Sequence, residues 1–324
     1  MTRLLALYPV AVTALLLVLP SIAPRSGPLT LVNIFSVHLA LAALLLVPVA
    51  IARRDRALRF GVLALALVAV IRFGGDWLSL PPAAAASDSQ FAAASWNLEL
   101  GARSGADAAA AIADLDVDLV ALQELGPEHA AAIEASAALA EHFPHRELYP
   151  DIGVLGMGLL SSYPIVRAEF RQDPSLIAAV IDVDGWALTV IDAHPLAGRI
   201  ELAGPIPFAF DTTGRDDRLD RIRERIEDAL ARGESVIALG DFNATPTEPG
   251  FLELAEGLYD AHAEVGQGPG WTWRPSRFEW AGFGVIRIDH ALSTARLPPR
   301  SVSERCGSVG DHCILEVRYS LRHY

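Results

Sequence analysis

The chain is 324 residues long and 52% hydrophobic, with 26 basic residues, none of them lysine, against 39 acidic ones, for a formal charge of −13. Nineteen of the basic and 37 of the acidic residues lie beyond residue 83, so that portion alone carries a formal −18. Gripping the many phosphates of a nucleic-acid duplex needs clustered cations, and this composition argues against such a partner.

Residues 4–22, 29–52 and 57–80 are dominated by Leu, Ala and Val. Each approaches the roughly 20 residues needed to cross a bilayer, and they are read as three transmembrane helices of a membrane anchor over residues 1–80. Arg72 and Asp76 interrupt the third run, which leaves open a shorter helix with those charges at an interfacial end. The first run has one feature of a signal peptide, small residues at Ser21-Ile22-Ala23 behind Arg3, but Pro24 and the second apolar run argue against cleavage. Arg53, Arg54, Arg56 and Arg59 lie between the second and third runs, whereas Arg25 alone lies between the first and second. The positive-inside rule then puts the arginine-rich loop in the cytoplasm and everything after a third span outside; with two spans the remainder would face inward.

Residues 81–90 form a small-residue linker, too short to let the C-terminal portion wander far from the anchor. Beyond it the pattern alternates: a strand at 91–97, a helix at 105–115, a strand at 118–123, a helix at 127–141 and short strands between 152 and 193. Residues 197–214, with two prolines and three glycines, read as a loop. Next come a helix over 215–232, ended by Gly233, and a strand that runs into Asp241. Strand-rich halves ending in helices fit two packed sheets with helices outside. The two cysteines, Cys306 and Cys313, suit a disulfide in an oxidising exterior, and suit equally two buried small side chains.

The chemistry sits at strand ends. Gly240-Asp241-Phe242-Asn243 closes a short apolar run, so a carboxylate and a carboxamide can share one crevice, as metal-assisted attack on a phosphate requires. Trp96-Asn97-Leu98-Glu99 and Gln123-Glu124 deliver oxygen ligands of the kind hard cations take. Asp192-Ala193-His194, Arg287-Ile288-Asp289-His290 and Gly310-Asp311-His312-Cys313 come after them in order. Taken together these motifs resemble the endonuclease/exonuclease/phosphatase superfamily over roughly residues 90–320, and with the apolar anchor its membrane-anchored bacterial members of the actinobacterial type. The lysine-free, Ala/Arg-rich composition is compatible with a GC-rich genome.

The resemblance implies a four-layer α/β sandwich over residues 91–324, with two packed mixed sheets flanked by helices and transmembrane helices before it. It implies Mg²⁺ or Mn²⁺ held by Glu124, with Asn97, Glu99 and Asp311 beside it. Asp241 would orient or deprotonate water, Asn243 and His194 would bond phosphoryl oxygens, and His312 would act as base or transition-state stabiliser with Asp289 fixing its ring. Ser162 stands where the family often has arginine, and Asp192-Ala193-His194-Pro195 matches only loosely. For each residue a bland reading competes: a solvated strand tip for Glu124, an Asx-turn for Asp241 and Asn243, a strand-end histidine for His194, and packing for Trp271 and Trp273. Arg215, Arg218 and Arg221 read as a solvated ion-pair face, with reach toward an anionic substrate as the alternative.

The expected function is a multi-pass cell-membrane hydrolase with an extracytoplasmic catalytic domain. Its substrate would be a phosphate or pyrophosphate ester, either a phosphorylated small molecule or a lipid at the outer leaflet such as a cell-wall carrier lipid. The alternatives are a sphingomyelinase-like phosphodiesterase, an extracytoplasmic nuclease, and a non-catalytic membrane sensor that retains the fold.

Overall fold

The computed structural model describes residues 2–79, 89–100, 103–307 and 310–321. Most of the expected linker lies outside the described residues. Among the described residues five α-helices come first: α1 (Thr2–Ile22), α2 (Pro28–Ile34), α3 (Ser36–Ala42), α4 (Val47–Arg53) and α5 (Arg56–Trp77), with a 3-10 turn at Ala43–Leu46 joining α3 to α4. Three apolar stretches, Leu5–Ile22, Ser36–Arg53 and Arg56–Trp77, are long enough to cross a membrane. Val12, Leu16, Ala40, Ala43, Leu65 and Phe73 form the seam between them. Phe60, Leu45 and Ile71 point outward and are exposed, an apolar outer surface that a water-facing bundle would not keep.

The second apolar run is not one helix. It breaks at Phe35, where the backbone leaves helical geometry (φ −95°, ψ 14°), and Pro48, which has no N–H to donate, opens α4. α2 is thereby turned onto the folded portion, where Asn33 Nδ2 donates to Thr247 O at 2.6 Å. The charged end of α5 does the same, with Asp76 lying 3.8 Å from Arg287. At the opposite end, Asp55 caps α5 by accepting from Leu58 N at 3.0 Å, and Arg59 donates to the last carbonyls of α4, Ala50 at 2.9 Å and Ile51 at 3.0 Å.

The strands are β1 (Ser89–Asn97), β2 (Leu119–Gln123), β3 (His145–Tyr149), β4 (Met157–Ser161), β5 (Ile165–Gln172), β6 (Ser175–Val183), β7 (Trp186–His194), β8 (Arg199–Ala203), β9 (Ile206–Asp211), β10 (Ser235–Asp241), β11 (Tyr259–Asp260), β12 (Asp289–Ser293), β13 (Pro299–Arg305) and β14 (Ile314–Leu321). One six-stranded sheet runs β13-β14-β1-β2-β4-β3 and the other β11-β12-β10-β7-β6-β5. Each is antiparallel except for one central parallel pair, β1 with β2 and β7 with β10. Ala93, Leu119, Leu159, Ile177, Val190 and Leu239 pack between the sheets.

The outer face of the first sheet is covered by α6 (Gly105–Ala113), α7 (Pro127–Ala135) and α8 (Ala137–His142). That of the second is covered by α9 (Thr213–Ala231) and α10 (Pro249–Ala255). This is a four-layer α/β sandwich. The helix expected over 127–141 divides at Ser136, whose side chain caps α8 by accepting from Leu139 N. Residues expected as a loop over 197–214 instead hold the hairpin β8–β9 and the start of α9. Gly204 at φ +65°, with Pro205 next to it, supplies the turn.

Candidate active site

Both parallel pairs end at one edge of the sandwich, because Asn97 lies opposite Gln123 in one and Gly240 opposite Ala193 in the other. Gly240, at φ +143°, makes the second possible, since a Cβ there would lie 2.0 Å from Ala193 O. The sheets are locked at this edge by Gln123 Nε2, which donates to Asp192 Oδ1 at 2.6 Å. Burial raises the Asp192 carboxyl well above its usual range, so this member of its motif serves as a cross-sheet tie beneath His194.

All nine residues singled out in the sequence join one network there. Asp241 Oδ2 lies at the focus of four nitrogens: Asn97 Nδ2 at 3.0 Å, Asn243 Nδ2 at 3.3 Å, and the Nε2 atoms of His194 and His312 at 3.6 Å each. Asn97 Nδ2 also reaches Glu124 Oε1 at 3.1 Å, and Glu99 N donates to Asn97 Oδ1 at 2.9 Å. Glu99 Oε2 in turn accepts from Asp311 N at 2.9 Å. Asp289 closes the ring, its oxygens 2.9 and 3.1 Å from His312 Nδ1. Glu99, Glu124 and Asn243 all adopt left-handed backbone, at φ 45°, 53° and 52°. For a glutamate that is uncommon and costs roughly 1–3 kcal/mol, which the surrounding bonds must offset.

The electrostatics divide the ring into two parts. On one side, burial opposes charge on His312, but Asp289 and Asp241 outweigh it and hold the imidazole up to about 10, so it is a cation and a donor at neutral pH. Burial also raises Asp241, which makes it a stronger proton acceptor than an exposed carboxylate. On the other side, burial together with the charges of Glu99 and Glu124 raises Asp311 to about 6. Its Oδ2 accepts from Trp273 Nε1 at 2.9 Å, while its buried Oδ1 has no hydrogen-bond partner.

A buried oxygen that accepts no hydrogen bond, with the His312 ring 3.8 Å away and two more carboxylates beside it, fits a hard divalent cation. Asp241, Asp289 and His312, whose potential ligand atoms lie within 4.8 Å of one another, fit it less well. His312 Nδ1 is already committed to Asp289, and a protonated ring cannot ligate. Glu99, Glu124 and Asp311 are therefore the carboxylates that could hold such a cation, with Asn97 donating to Glu124.

Other residues shape the ground beneath these motifs. Arg274 is fully buried and donates to Gly307 O at 2.6 Å and Gly310 O at 2.8 Å, shaping the loop that presents Asp311 and His312. A Cys306–Cys313 disulfide closes the same loop. Arg215 is 1% exposed and donates to Asp216, Glu248 and Asn243 O. It is neither a solvated face nor a substrate ligand but the clamp beneath the Asn243 turn. Arg218 and Arg221 both pair with Asp173 at the surface. His290, the last residue of its motif, is structural: burial lowers it to about 4, and its Nε2 bonds Ala244 O at 2.8 Å. Ser162 bonds Asp118 O, away from this network. Trp271 stacks on His38 of α3, with ring centroids 5.0 Å apart.

The network floors a cleft of about 440 Å³, lined by Glu124, His194, Asp241, Asn243, Asp311 and His312 below. Such an arrangement can polarise a phosphoryl group and remove a proton from a water beside it.

A family model described as the endonuclease/exonuclease/phosphatase family matches residues 94–312. No curated protein matches the chain in sequence. Among solved structures, D. rerio TDP2 complexed with a single-strand DNA product is similar with a TM-score of 0.55 at 20% identity, covering 72% of this chain and 99% of that one. The endonuclease/exonuclease/phosphatase from Bacteroides vulgatus scores 0.55 at 15% identity, covering 72% and 100%. The protein of the same description from Beutenbergia cavernae scores 0.53 at 17%, covering 72% of each chain.

Proposed function

Since the chain belongs to the endonuclease/exonuclease/phosphatase family, whose members hydrolyse phosphate esters and typically require a divalent metal, we propose that it is a membrane-anchored hydrolase of phosphate or pyrophosphate esters on a lipid-linked substrate at the outer leaflet. Residues 1–80 are the anchor and 91–324 the catalytic domain. The observation that carries the reading is the convergence of Asp241, Asn243, His194 and the Asp289–His312 pair on one point beside the acidic set Glu99, Glu124 and Asp311.

Mg²⁺ or Mn²⁺ held by Glu124, Glu99 and Asp311 would neutralise charge on the phosphoryl oxygens. Asp241, raised by burial, accepts the proton of the attacking water. Asn243, His194 and the cationic His312 donate to the nonbridging oxygens, where charge grows in the transition state. Asp289 keeps His312 protonated and oriented. Asn97 spaces Glu124 from Asp241, donating to both.

Two features support an exterior, lipid-facing setting. The arginines of the α4–α5 loop lie at the end of the bundle away from the cleft, as the positive-inside rule asks of an exterior domain. The disulfide suits an oxidising compartment. A nuclease reading draws on the D. rerio TDP2 complex with DNA, against which stands the lysine-free, acidic domain.

The test is hydrolysis by the full chain in nanodiscs with Mg²⁺, comparing an isoprenyl pyrophosphate, sphingomyelin, plasmid DNA and single-stranded DNA, with Asp241→Asn as blank. Phosphate release from the pyrophosphate is expected. Cleavage confined to sphingomyelin or DNA would replace the substrate, and inactivity on all four would favour a sensor that has kept the fold.

A further inference from the structure

The cleft has two chemically unlike halves. Its floor is the polar network, but its apolar walls are Leu31, Ile34 and Phe35 of the α2 segment together with Leu196, Ile200 and Phe210 of the β8–β9 hairpin region. The first wall therefore comes from the membrane anchor and the second from the catalytic domain. A free phosphate or a sugar phosphate has no use for six apolar side chains around its reacting group.

The α2 wall is built in rather than casually adjacent. Asn33 is 1% exposed, and it donates to Thr247 O while its own carbonyl accepts from Thr247 Oγ1 at 3.1 Å. The chain entering α2 runs beside β9: Phe210 N donates to Gly27 O at 3.3 Å and Thr212 N to Arg25 O at 2.8 Å. Arg25 then pairs with Asp216 at 2.9 Å, and Asp216 is the partner of the Arg215 clamp under Asn243. The apolar wall and the catalytic turn thus share one scaffold.

The walls also continue outward. Along the hairpin, Ile200 and Leu202 on one strand and Ile206, Phe208 and Phe210 on the other alternate with Glu201, Pro207 and Ala209. Ile200, Leu202, Ile206 and Phe208 are all more than half exposed. Phe35, at the mouth, marks the junction where α2 gives way to α3 and the candidate span Ser36–Arg53 begins. The apolar path from the catalytic floor therefore leads to the surface that the anchor presents to lipid.

We infer that the anchor completes the substrate site: the long apolar chain of a phosphorylated amphiphile, whether alkyl, acyl or isoprenyl, lies along the apolar lining that α2 and the β8–β9 hairpin share while its phosphate sits on the polar floor. This rests on the phosphoester-hydrolase reading of the same cleft and adds where the rest of the substrate goes. Each methylene removed from water there strengthens binding about fourfold, so the walls set the preference for a long chain over a short one.

The test uses the full chain in nanodiscs of zwitterionic lipid with Mg²⁺ and a hexadecylphosphonate bearing a diazirine at the far end of its chain, which cannot be hydrolysed. After photolysis, adducts are expected within residues 28–35 and 196–210, displaced by unlabelled hexadecylphosphonate but not by hexadecanol. The pair Leu31→Ser/Ile200→Ser is expected to lower this displaceable labelling at least about tenfold. Adducts only on the lipid-facing surfaces of α1 and α5, or labelling that hexadecanol displaces equally well, would overturn the inference. Displaceable labelling in a protein that hydrolyses no phosphate ester would instead overturn the hydrolase reading and leave this site standing.

Discussion

Arg215→Ala tests whether the Asn243 turn is held by a buried ion cluster. The guanidinium lies 2.7 Å from Asp216 Oδ1, 2.8 Å from Glu248 Oε2 and 2.7 Å from Asn243 O, with both partner carboxylates almost wholly buried. Truncation leaves two carboxylates in the interior without their main cation, and Arg25 at 2.9 Å compensates only Asp216. Breaking such a buried pair costs about 3–5 kcal/mol, which for a domain of this size lowers the melting temperature by roughly 6–20 °C. Adding Glu248→Gln, which removes one stranded charge, should recover part of the loss. The assay is thermal unfolding monitored by near-UV circular dichroism in nanodiscs, paired with steady-state kinetics below the transition. A variant as stable as the wild type whose KM alone rises would refute the clamp and return Arg215 to substrate binding.

Three further outcomes rest on the same geometry. Asp241→Asn should cut kcat about 10²–10⁴-fold through loss of the proton acceptor, read from initial rates on variant protein whose circular dichroism melt shows it folded. His290, held down to about 4 against 6.5 when unfolded, favours the folded state fully only above 6.5. As pH falls from 6.5 toward 4 the unfolded chain gains a proton that the folded one refuses, a loss of about 2 kcal/mol by pH 5 that His290→Gln should abolish in paired urea titrations. Replacing Cys306 and Cys313 together by serine should cost about 2.5 kcal/mol from the short loop they close, measured by urea unfolding, and should lower kcat because that loop carries His312.

The convergence of the polar floor was legible in the sequence because its residues sit at the ends of short apolar strands, where side-chain direction is set by a period of two and the motifs come in order. Glu124 after Leu119–Gln123 and Asp241 after Ser235–Gly240 are of this kind. The scaffold beneath was not legible. Arg215 sits among Asp216, Asp217 and Arg218 in a pattern that looks solvated, and only the packing of α9 against the 243–248 turn reveals which arginine is buried. Arg274 gives no local signal, since its partners Gly307 and Gly310 lie more than 30 residues away in sequence.

The hairpin was hidden by composition. Two prolines and three glycines over 197–214 suggested a loop, although the alternation Ile200-Glu201-Leu202 and Ile206-Pro207-Phe208-Ala209-Phe210 around Gly204-Pro205 was the available sign of two strands. The break at Phe35 had no such sign. An apolar run long enough to span a bilayer reads as one helix, and what interrupts it is Asn33 meeting Thr247, a contact 214 residues apart.

Metal-dependent hydrolysis in this cleft is tested by the rate of phosphate release from an isoprenyl pyrophosphate as Mg²⁺ is titrated into the EDTA-stripped full chain, for wild type and Glu124→Gln. No turnover in EDTA, recovery with Mg²⁺, and at least about a tenfold rise in the Mg²⁺ needed by the variant are expected, since it loses a charged ligand. Equal rates in EDTA and Mg²⁺, or a Glu124→Gln titration that overlays the wild type, would contradict a catalytic cation held by Glu124.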